Sequence, residues 1–239
     1  MAKVALITGS AVRLGHEIAQ HLANSGWDIA LHYRTSTKEM ADFEAELNTN
    51  FPDQRFYTFQ ADLGDIDQVQ KLIKQVIERF GQLELLVNCA SIFEPSSFKE
   101  TSADSMVRHA QVNLVSPFIL MRDFANNAAN GLIINIADTR ITNNKSDYLS
   151  YSLSKKSLWE LTKMAALDLA PHFRVNAIAP GAVLAPAGKD QHYLEKVADL
   201  TPMKTPSGVI SILKSIDYII GNEDLTGQLI FCDGGAHLL

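Results

Sequence analysis

The chain has 239 residues, of which 46% are hydrophobic and 20% charged, and its formal net charge is -6. This length allows one substantial core or two small ones. No Pro/Gly-rich or single-sign charged run indicates a linker, so we expect a single domain over residues 1–239. The lysines and arginines are scattered, which excludes a basic surface for nucleic acid or an anionic membrane.

The N-terminal segment starts with an apolar strand pattern and lacks the basic region and cleavage site of a secretory signal. No apolar run approaches the roughly 20 residues needed to cross a bilayer. Cys89 and Cys232 lie in apolar surroundings without CxxC spacing, so we expect both to be reduced, buried and inert. These features predict a cytoplasmic protein.

Apolar runs of strand length alternate with longer segments of helical spacing, which is typical of repeated βαβ units. The predicted strands are Val4 to Ile7, Asp28 to Tyr33, Arg55 to Gln60, Leu85 to Asn88, Leu132 to Ile136, Arg174 to Ile178 and Gln228 to Phe231. The predicted helices are Arg13 to Asn24, Lys38 to Asn48, Ile66 to Phe80, Ala103 to Asn126, Tyr151 to Leu169 and Ser207 to Ile220. This order predicts a Rossmann-like, doubly wound α/β domain: a seven-stranded parallel sheet with helices on both faces. Its ligand crevice should lie at the carboxyl ends of the strands.

The first strand leads into a glycine turn that opens the first helix, within the segment from Thr8 and Gly9 through Arg13 and Leu14 to Gly15. The exposed N–H groups and the positive dipole end of such a helix favour a pyrophosphate. A pair of glycines after a strand also occurs in simple turns, so this interpretation depends on its context.

The second strand ends in a segment where an NAD-preferring protein would present an acid to the ribose 2′-hydroxyl. This chain has no acid there. Arg34, with the hydroxyls of Thr35 and Ser36, instead suits a 2′-phosphate. The sequence therefore predicts NADPH as the cofactor, the alternative being that Arg34 is a solvated surface charge.

Two later strand ends add candidate cofactor contacts. The carboxylate and backbone at Asp62 and Leu63 are placed to meet the adenine, and Asn88, Ala90 and Ser91 belong to a small-residue turn that a ligand can approach closely. Each segment could equally be a plain strand terminus.

Taken in order, these motifs resemble the short-chain dehydrogenase/reductase family over essentially the whole chain. The resemblance also includes Asn113, the Tyr151-Ser152-Leu153-Ser154-Lys155 segment, Pro180-Gly181 and Asp233-Gly234-Gly235. The cofactor-binding residues that it implies, together with the motifs above, are Thr8, Gly9, Arg13, Leu14, Gly15, His32, Tyr33, Arg34, Ser36, Asp62, Leu63, Asn88, Ala90, Ser91, Tyr151, Lys155, Pro180 and Gly181.

Several departures from the usual family pattern resemble pteridine reductases and dihydromonapterin reductases. Arg13 replaces the middle glycine of the turn, the second strand ends in His32-Tyr33-Arg34, and Asp138 stands at the usual position of the catalytic serine. The segment ending in Ser91-Ile92-Phe93 resembles one in which the serine contacts cofactor and pterin and the phenylalanine stacks on the pterin. The resemblance and the chemistry of these side chains imply a pterin site made of Arg13, Ser91, Phe93, Asp138 and Tyr151. A phenylalanine after a strand is otherwise more often a core residue.

Tyr151 and Lys155 are one helical turn apart, so their side chains share a face. A nearby ammonium is expected to lower the pKa of Tyr151 from about 10 toward the working pH. The resemblance further implies that Lys155 holds the nicotinamide ribose and that Asn113 holds a water in the proton relay.

Asp138 follows a strand at its carboxyl end and should enter the crevice. A serine hydroxyl suits polarisation of a carbonyl oxygen, whereas a carboxyl can deliver a proton to a ring nitrogen. Reduction of a C=N bond needs a hydride at carbon and a proton at nitrogen, so we expect NADPH to reduce a pterin, with Asp138 and Tyr151 as the proton path. The alternative is that Asp138 caps the following turn in a weakened carbonyl reductase.

Two other functions remain as rivals. One is an NADPH-dependent reductase of ketones or 3-oxoacyl thioesters on the same scaffold, and the other is a non-catalytic cofactor-binding regulator, which the presence of Asn113, Tyr151 and Lys155 disfavours. No metal-ligand cluster, nucleophile elbow or Walker loop indicates another chemistry. The predicted helix that begins at Tyr151 has more apolar surface than packing on one sheet face needs. Such helices resemble the family's oligomer interfaces and suggest a homotetramer, although a plain amphipathic core helix has the same pattern.

Overall fold

The computed structural model describes residues 2–145, 147–184 and 191–239. The strands of this described part are β1 Val4–Ile7, β2 Asp28–Tyr33, β3 Phe56–Gln60, β4 Leu85–Asn88, β5 Gly131–Ile136, β6 Phe173–Pro180 and β7 Leu229–Cys232. These seven form one sheet in the order β3-β2-β1-β4-β5-β6-β7, and every pairing is parallel. The predicted doubly wound α/β fold is confirmed.

The α-helices of the described residues lie between these strands. They are α1 Arg13–Asn24, α2 Thr37–Asn50, α3 Ile66–Phe80, α4 Ala103–Ala110, α5 Ser116–Asn127, α6 Leu149–Asp168, α7 Gln191–Ala198 and α8 Val209–Gly221. No helix in the described ranges is long and apolar enough to cross a membrane.

Two helical predictions need correction. The helix predicted from Ala103 to Asn126 is divided by a π-helical turn, Gln111–Val115, which separates α4 from α5. Helix α7 was not predicted, because the segment after β6 that contains it has only a short apolar pattern. Residues 185–190 of that segment lie outside the described residues.

The alternation of side chains along each strand explains why helices cover both faces of the sheet. In β1, Ala5 and Ile7 pack into a core with α1, α2 and α8. Val4 and Leu6 point the other way, into a core with α3 and α5. Because both faces are covered, all four residues are fully buried. Polar groups that can reach a ligand therefore lie at the ends of the strands.

The order in which successive strands are added to the sheet reverses between β1 and β4, which are neighbours in the sheet. From β1 the strand order runs outward through β2 to β3 on one side and from β4 through β7 on the other. Connections therefore leave the carboxyl ends of β1 and β4 toward opposite faces of the sheet and open a crevice there.

Candidate active site

The turn after β1 requires glycine at two positions. Gly9 has a φ of 72°, and a Cβ there would lie 3.1 Å from the Cα of Ala90. At Gly15 a Cβ would overlap the backbone oxygen of Gly9. The glycine turn and the first helical turn of α1 are therefore packed closely together. Backbone groups, rather than side chains, face the crevice there, as a pyrophosphate site needs.

Thr8 joins this turn to the end of β4. Its hydroxyl oxygen accepts hydrogen bonds from the backbone N–H groups of Cys89 at 2.9 Å and Ala90 at 3.0 Å. The side chain is fully buried. Thr8 thus fixes the two strand ends that border the crevice, and its side chain lies beneath the site rather than in it.

His32 lies under the same turn. Its Nδ1 accepts a hydrogen bond from the Gly9 N–H at 3.0 Å, so the ring proton is on Nε2, which donates to the Ala61 carbonyl at 3.1 Å. Burial lowers the pKa of His32 from its usual value to about 4, so the ring is neutral. The ring is enclosed and both nitrogens are in use, so the side chain supports the turn, and the cofactor contact of His32 stays a prediction.

The end of β2 presents groups that fit a phosphate. The Arg34 side chain is exposed, and within residues 2–145, 147–184 and 191–239 no acid forms an ion pair with it. Ser36 is the N-cap residue of α2 and its hydroxyl makes no capping hydrogen bond. The partly buried Tyr33 precedes them. The guanidinium and the helix start together suit a dianionic group.

The ends of β3 and β4 contribute different kinds of surface. The Asp62 carboxylate is partly exposed and accepts the Gly64 N–H at 2.8 Å, whereas Leu63 is buried. The Asn88 side chain is also buried and donates to the Asn135 side chain at 2.8 Å. Asp62 therefore faces the crevice edge, while the side chains of Leu63 and Asn88 stabilise the fold under it.

Asn113 lies in the π-helical turn and clamps the chain after β4. Its Oδ1 accepts the Ile92 N–H at 2.9 Å, and its Nδ2 donates to the Ile92 carbonyl and to the Ser154 hydroxyl, both at 3.0 Å. Both amide donors are therefore used. The predicted water-holding role is not available to those donors, and the structure gives the side chain a positioning role for the segment that carries Phe93.

The predicted catalytic groups converge at the end of β5. The Tyr151 hydroxyl donates to Oδ2 of Asp138 at 2.7 Å, and Oδ1 of Asp138 accepts the Arg140 N–H at 2.8 Å. Lys155 Nζ donates to the Ile136 carbonyl at 2.6 Å. Tyr151 and Lys155 are both buried on one face of α6. The predicted constellation of Asp138, Tyr151 and Lys155 is thus brought together.

The electrostatics of this cluster differ from the sequence-based expectation. Burial raises the pKa of Asp138, although the hydrogen bond from the Arg140 N–H and the charge of Lys155 act to lower it. Burial, and then the charge and hydrogen bond of Asp138, raise the pKa of Tyr151 well above its ordinary value. The expectation that Lys155 lowers the pKa of Tyr151 is therefore wrong in this structure, because burial and then the facing carboxyl of Asp138 raise it. Burial also lowers the pKa of Lys155 to about 8.

An aromatic wall borders this cluster. Phe93, 40% exposed, stacks on Tyr148 with ring centroids 4.2 Å apart and contacts Tyr151 edge-to-face at 4.7 Å. The Arg140 guanidinium lies 4.5 Å from the Tyr148 ring centroid and pairs with Asp147 at 2.8 Å. Sequence reasoning found Phe93 but missed Tyr148 and Arg140. The available signal was sequence spacing, because Tyr148 lies three residues before Tyr151 and Arg140 lies two residues after Asp138.

Arg13 connects the cofactor turn to the chain after β6. It begins α1 with a φ of 58°, a left-handed conformation that costs roughly 1–2 kcal/mol for a residue with a Cβ. Its Nη2 donates to the Leu184 carbonyl at 3.4 Å. A non-glycine residue kept in this conformation points to a functional requirement for its side chain.

The remaining predicted residues lie around the crevice. Leu14 is partly buried against the core beside the turn, and Ser91 is exposed next to Phe93. Pro180 ends β6, and at Gly181 a Cβ would lie 3.0 Å from the Cα of Asp233. Gly181 is therefore required by packing against the C-terminal segment, whatever else it contacts.

Two further kinds of side chain are the cysteines and those that commonly bind metal ions. Cys89 is partly and Cys232 fully buried, and neither is in a disulfide. Burial raises the pKa of Cys89 to about 12, so its thiol is protonated. The described residues contain no group of three His, Cys, Asp or Glu side chains that could hold a metal ion.

A family model for short chain dehydrogenases matches residues 3–194. The chain belongs to this family. It is similar to the crystal structure of FolM Alternative dihydrofolate reductase 1 from Brucella canis complexed with NADP, with 34% identity, a TM-score of 0.91, and coverage of 99% of this chain and 95% of that chain. It is 29% identical to an uncharacterized oxidoreductase of Mycobacterium tuberculosis, covering 98% of this chain and 91% of the relative. It is 27% identical to the 3-oxoacyl-(acyl-carrier-protein) reductase FabG of Staphylococcus aureus, over 100% of this chain and 99% of the relative.

Proposed function

We propose that this oxidoreductase of the short-chain dehydrogenase family is an NADPH-dependent pterin reductase, acting on a substrate of the dihydropteridine, dihydromonapterin or dihydrofolate type. The observation that carries the proposal is the hydrogen bond of 2.7 Å between Tyr151 and Asp138 at the end of β5. It places a phenol and a carboxyl, rather than a phenol and a serine, beside the aromatic wall of Phe93. The similarity to an NADP-bound alternative dihydrofolate reductase supports the same substrate class.

The cofactor part of the proposal follows from the strand ends. Backbone groups of the turn from Gly9 to Gly15 would hold the pyrophosphate, and Arg34 with Ser36 would hold the 2′-phosphate. Lys155 would hold the nicotinamide ribose. When bound, NADPH supplies the hydride.

The protein's own residues then supply and place the proton. The substrate ring would stack on Phe93, and the Arg13 guanidinium would contact its carbonyl oxygen. As the ring carbon gains the hydride, the adjacent nitrogen takes the proton of the Tyr151–Asp138 pair, which regains one from solvent. Burial raises the pKa of both Asp138 and Tyr151, which favours a protonated pair.

A second candidate is reduction of 3-oxoacyl thioesters. The full-length similarity to the Staphylococcus aureus FabG favours it, and Tyr151 with Lys155 would serve that reaction equally. Asp138 argues against it, because a carboxyl stands where a serine hydroxyl would polarise the carbonyl oxygen of such a substrate.

Turnover assays decide between these functions. NADPH oxidation by the purified protein is measured with dihydrobiopterin, dihydromonapterin and dihydrofolate, and in parallel with several ketones and a β-ketoacyl thioester. We expect turnover of at least one pterin and little or none of the carbonyl compounds. Turnover of carbonyls alone would refute the pterin assignment, and NADPH binding without any turnover would indicate a non-catalytic protein.

We also propose a cytoplasmic homotetramer. Met164 and Leu167 of α6 are 67% and 85% exposed, whereas Leu158 on the same helix is buried. The apolar pattern of α6 thus serves both the core and an outer surface, which is the pattern expected of a helix at a subunit contact.

A further inference from the structure

The end of β7 holds a buried carboxylate with four hydrogen-bond donors. Asp233, only 3% exposed, accepts the Thr139 hydroxyl at 2.6 Å, the Gly235 N–H at 3.0 Å and the His237 N–H at 2.8 Å. Nδ1 of His237 lies 3.0 Å from both carboxylate oxygens. A carboxylate with this many donors is held in one orientation.

The C-terminal residues around Asp233 are fixed in turn. The His237 ring stacks on Phe231 with centroids 4.0 Å apart and an angle of 13° between the planes. Gly181 packs against the Asp233 backbone, and the Met203 N–H donates to the Gly234 carbonyl at 3.1 Å. Residues 231–237 therefore form a packed support at the end of β7.

This support reaches the reaction site through one side chain. Thr139, whose hydroxyl is bound to Asp233, is the residue directly after Asp138. On the other side, the Ala137 N–H is bound to the Ile178 carbonyl at 2.7 Å. The backbone of Asp138 is thus held both before and after the residue.

We propose that Asp233 and His237 are positioning residues that hold the Asp138–Tyr151 pair in its reactive geometry through Thr139. The inference rests on the proposed function, in which Asp138 takes part in proton delivery. A hydrogen bond of 2.7 Å is lost when its partners move apart by less than an ångström, so a rigid support for Asp138 matters for rate.

The charge on Asp233 suits this role. Burial opposes ionisation, but the hydrogen bonds from Thr139 and His237 outweigh it and keep the pKa of Asp233 below its usual value. The acceptor for Thr139 is therefore ionised throughout the neutral range. The titratable or charged groups facing Asp138 itself are Tyr151, Arg140 and Lys155.

The test compares Thr139→Val, which keeps the shape but removes the hydroxyl, with Thr139→Ser, which keeps the hydroxyl. We expect Thr139→Val to lower kcat about tenfold or more, with KM for NADPH unchanged and the pH profile of kcat shifted. Thr139→Ser should restore kcat, and His237→Gln should reproduce part of the loss.

The chain offers a matched control in the exposed pair formed by His21 and Asp217, with Nε2 and Oδ1 2.8 Å apart. His21→Gln and Asp217→Asn should leave kcat and its pH profile unchanged. Thermal unfolding of every variant is measured alongside. A kcat and pH profile of Thr139→Val equal to those of the wild type would overturn the proposal, as would a kcat loss explained by unfolding at the assay temperature.

The two proposals fail separately. If pterins are reduced and Thr139→Val is fully active, the positioning role is wrong and the function stands. If only carbonyls are reduced but Thr139→Val still lowers kcat and shifts its pH profile, the pterin assignment is wrong and the positioning role stands. Ultraviolet titration of Tyr151, with Tyr151→Phe as the blank, tests the same contact without substrate: Thr139→Val should lower the tyrosine pKa, and an unchanged pKa would count against the proposal.

Discussion

The two halves of the crevice are built on opposite physical principles. At the cofactor half, Thr8 and His32 are neutral and buried, and their polar atoms bond to backbone groups of neighbouring strand ends. At the reaction half, Asp138, Tyr151 and Lys155 are ionisable groups packed together, and burial displaces the pKa of each. The first half is organised for a fixed shape. In the second half, burial shifts the pKa values of the ionisable side chains, and this burial lowers the stability of the fold.

The largest expected effect separates rate from stability at the reaction half. Asp138→Ser should lower kcat with a dihydropterin about 100-fold, because the carboxyl of the proton-delivering pair is lost. It should not lower the melting temperature. A carboxyl with a raised folded-state pKa disfavours the folded state at pH values above its unfolded pKa, so removing it relieves that cost.

Steady-state kinetics and thermal unfolding at neutral pH measure the two effects. Asp168→Ser is the control, since Asp168 is exposed at the end of the same helix that carries Tyr151. Full pterin activity of Asp138→Ser would remove Asp138 from the proton path and leave it as a turn cap, a role that its hydrogen bond from the Arg140 N–H would support.

The next effect concerns the cofactor half and changes stability rather than chemistry. The folded-state pKa of His32 is about 4, below the usual value of about 6.5. The unfolded state therefore binds more protons between these values. The contribution of neutral His32 is fully present above about pH 6.5 and is lost as pH falls to about 4, by up to about 3 kcal/mol.

Urea unfolding of the wild type and His32→Asn between pH 4 and pH 7 measures this difference. The free energy of unfolding of the wild type should fall more steeply with acid than that of His32→Asn. His172→Asn, at an exposed histidine, is the control substitution. Parallel slopes for wild type and His32→Asn would mean that His32 is not held neutral under the Gly9 turn.

The smallest effect tests Arg13, which lies between the two halves. Arg13→Ala and Arg13→Gly both remove the guanidinium, but only glycine adopts the positive φ of 58° without strain. Both variants should raise KM for the pterin alike. Arg13→Gly should be more stable than Arg13→Ala by about 1 kcal/mol, measured by urea unfolding. Equal stabilities would show that the left-handed conformation carries no strain, and an unchanged KM would remove Arg13 from the pterin site.

Much of this fold could be predicted from local patterns. The near-continuous apolar strands and the helical spacing gave β1, β2, β4, α1 and α3 with the bounds that the structure has. The π-helical turn at Asn113 could not be predicted from local patterns, and the contact that Asn113 makes there is with Ile92, 21 residues away. Helix α7 was missed because its short apolar pattern lacks a strong periodic signal.

The sequence by itself determined which chemical groups the crevice contains: a glycine turn, Arg34 without a competing acid, and Asp138 with Tyr151 and Lys155. Residue type and spacing are enough for that. Only the tertiary structure decided what each group does, because pKa values and hydrogen bonds depend on neighbours from other strands. It placed His32 beneath the turn, raised the pKa of Tyr151 by burying the phenol beside the carboxyl of Asp138, and brought Asp233 from the far end of the chain to Thr139.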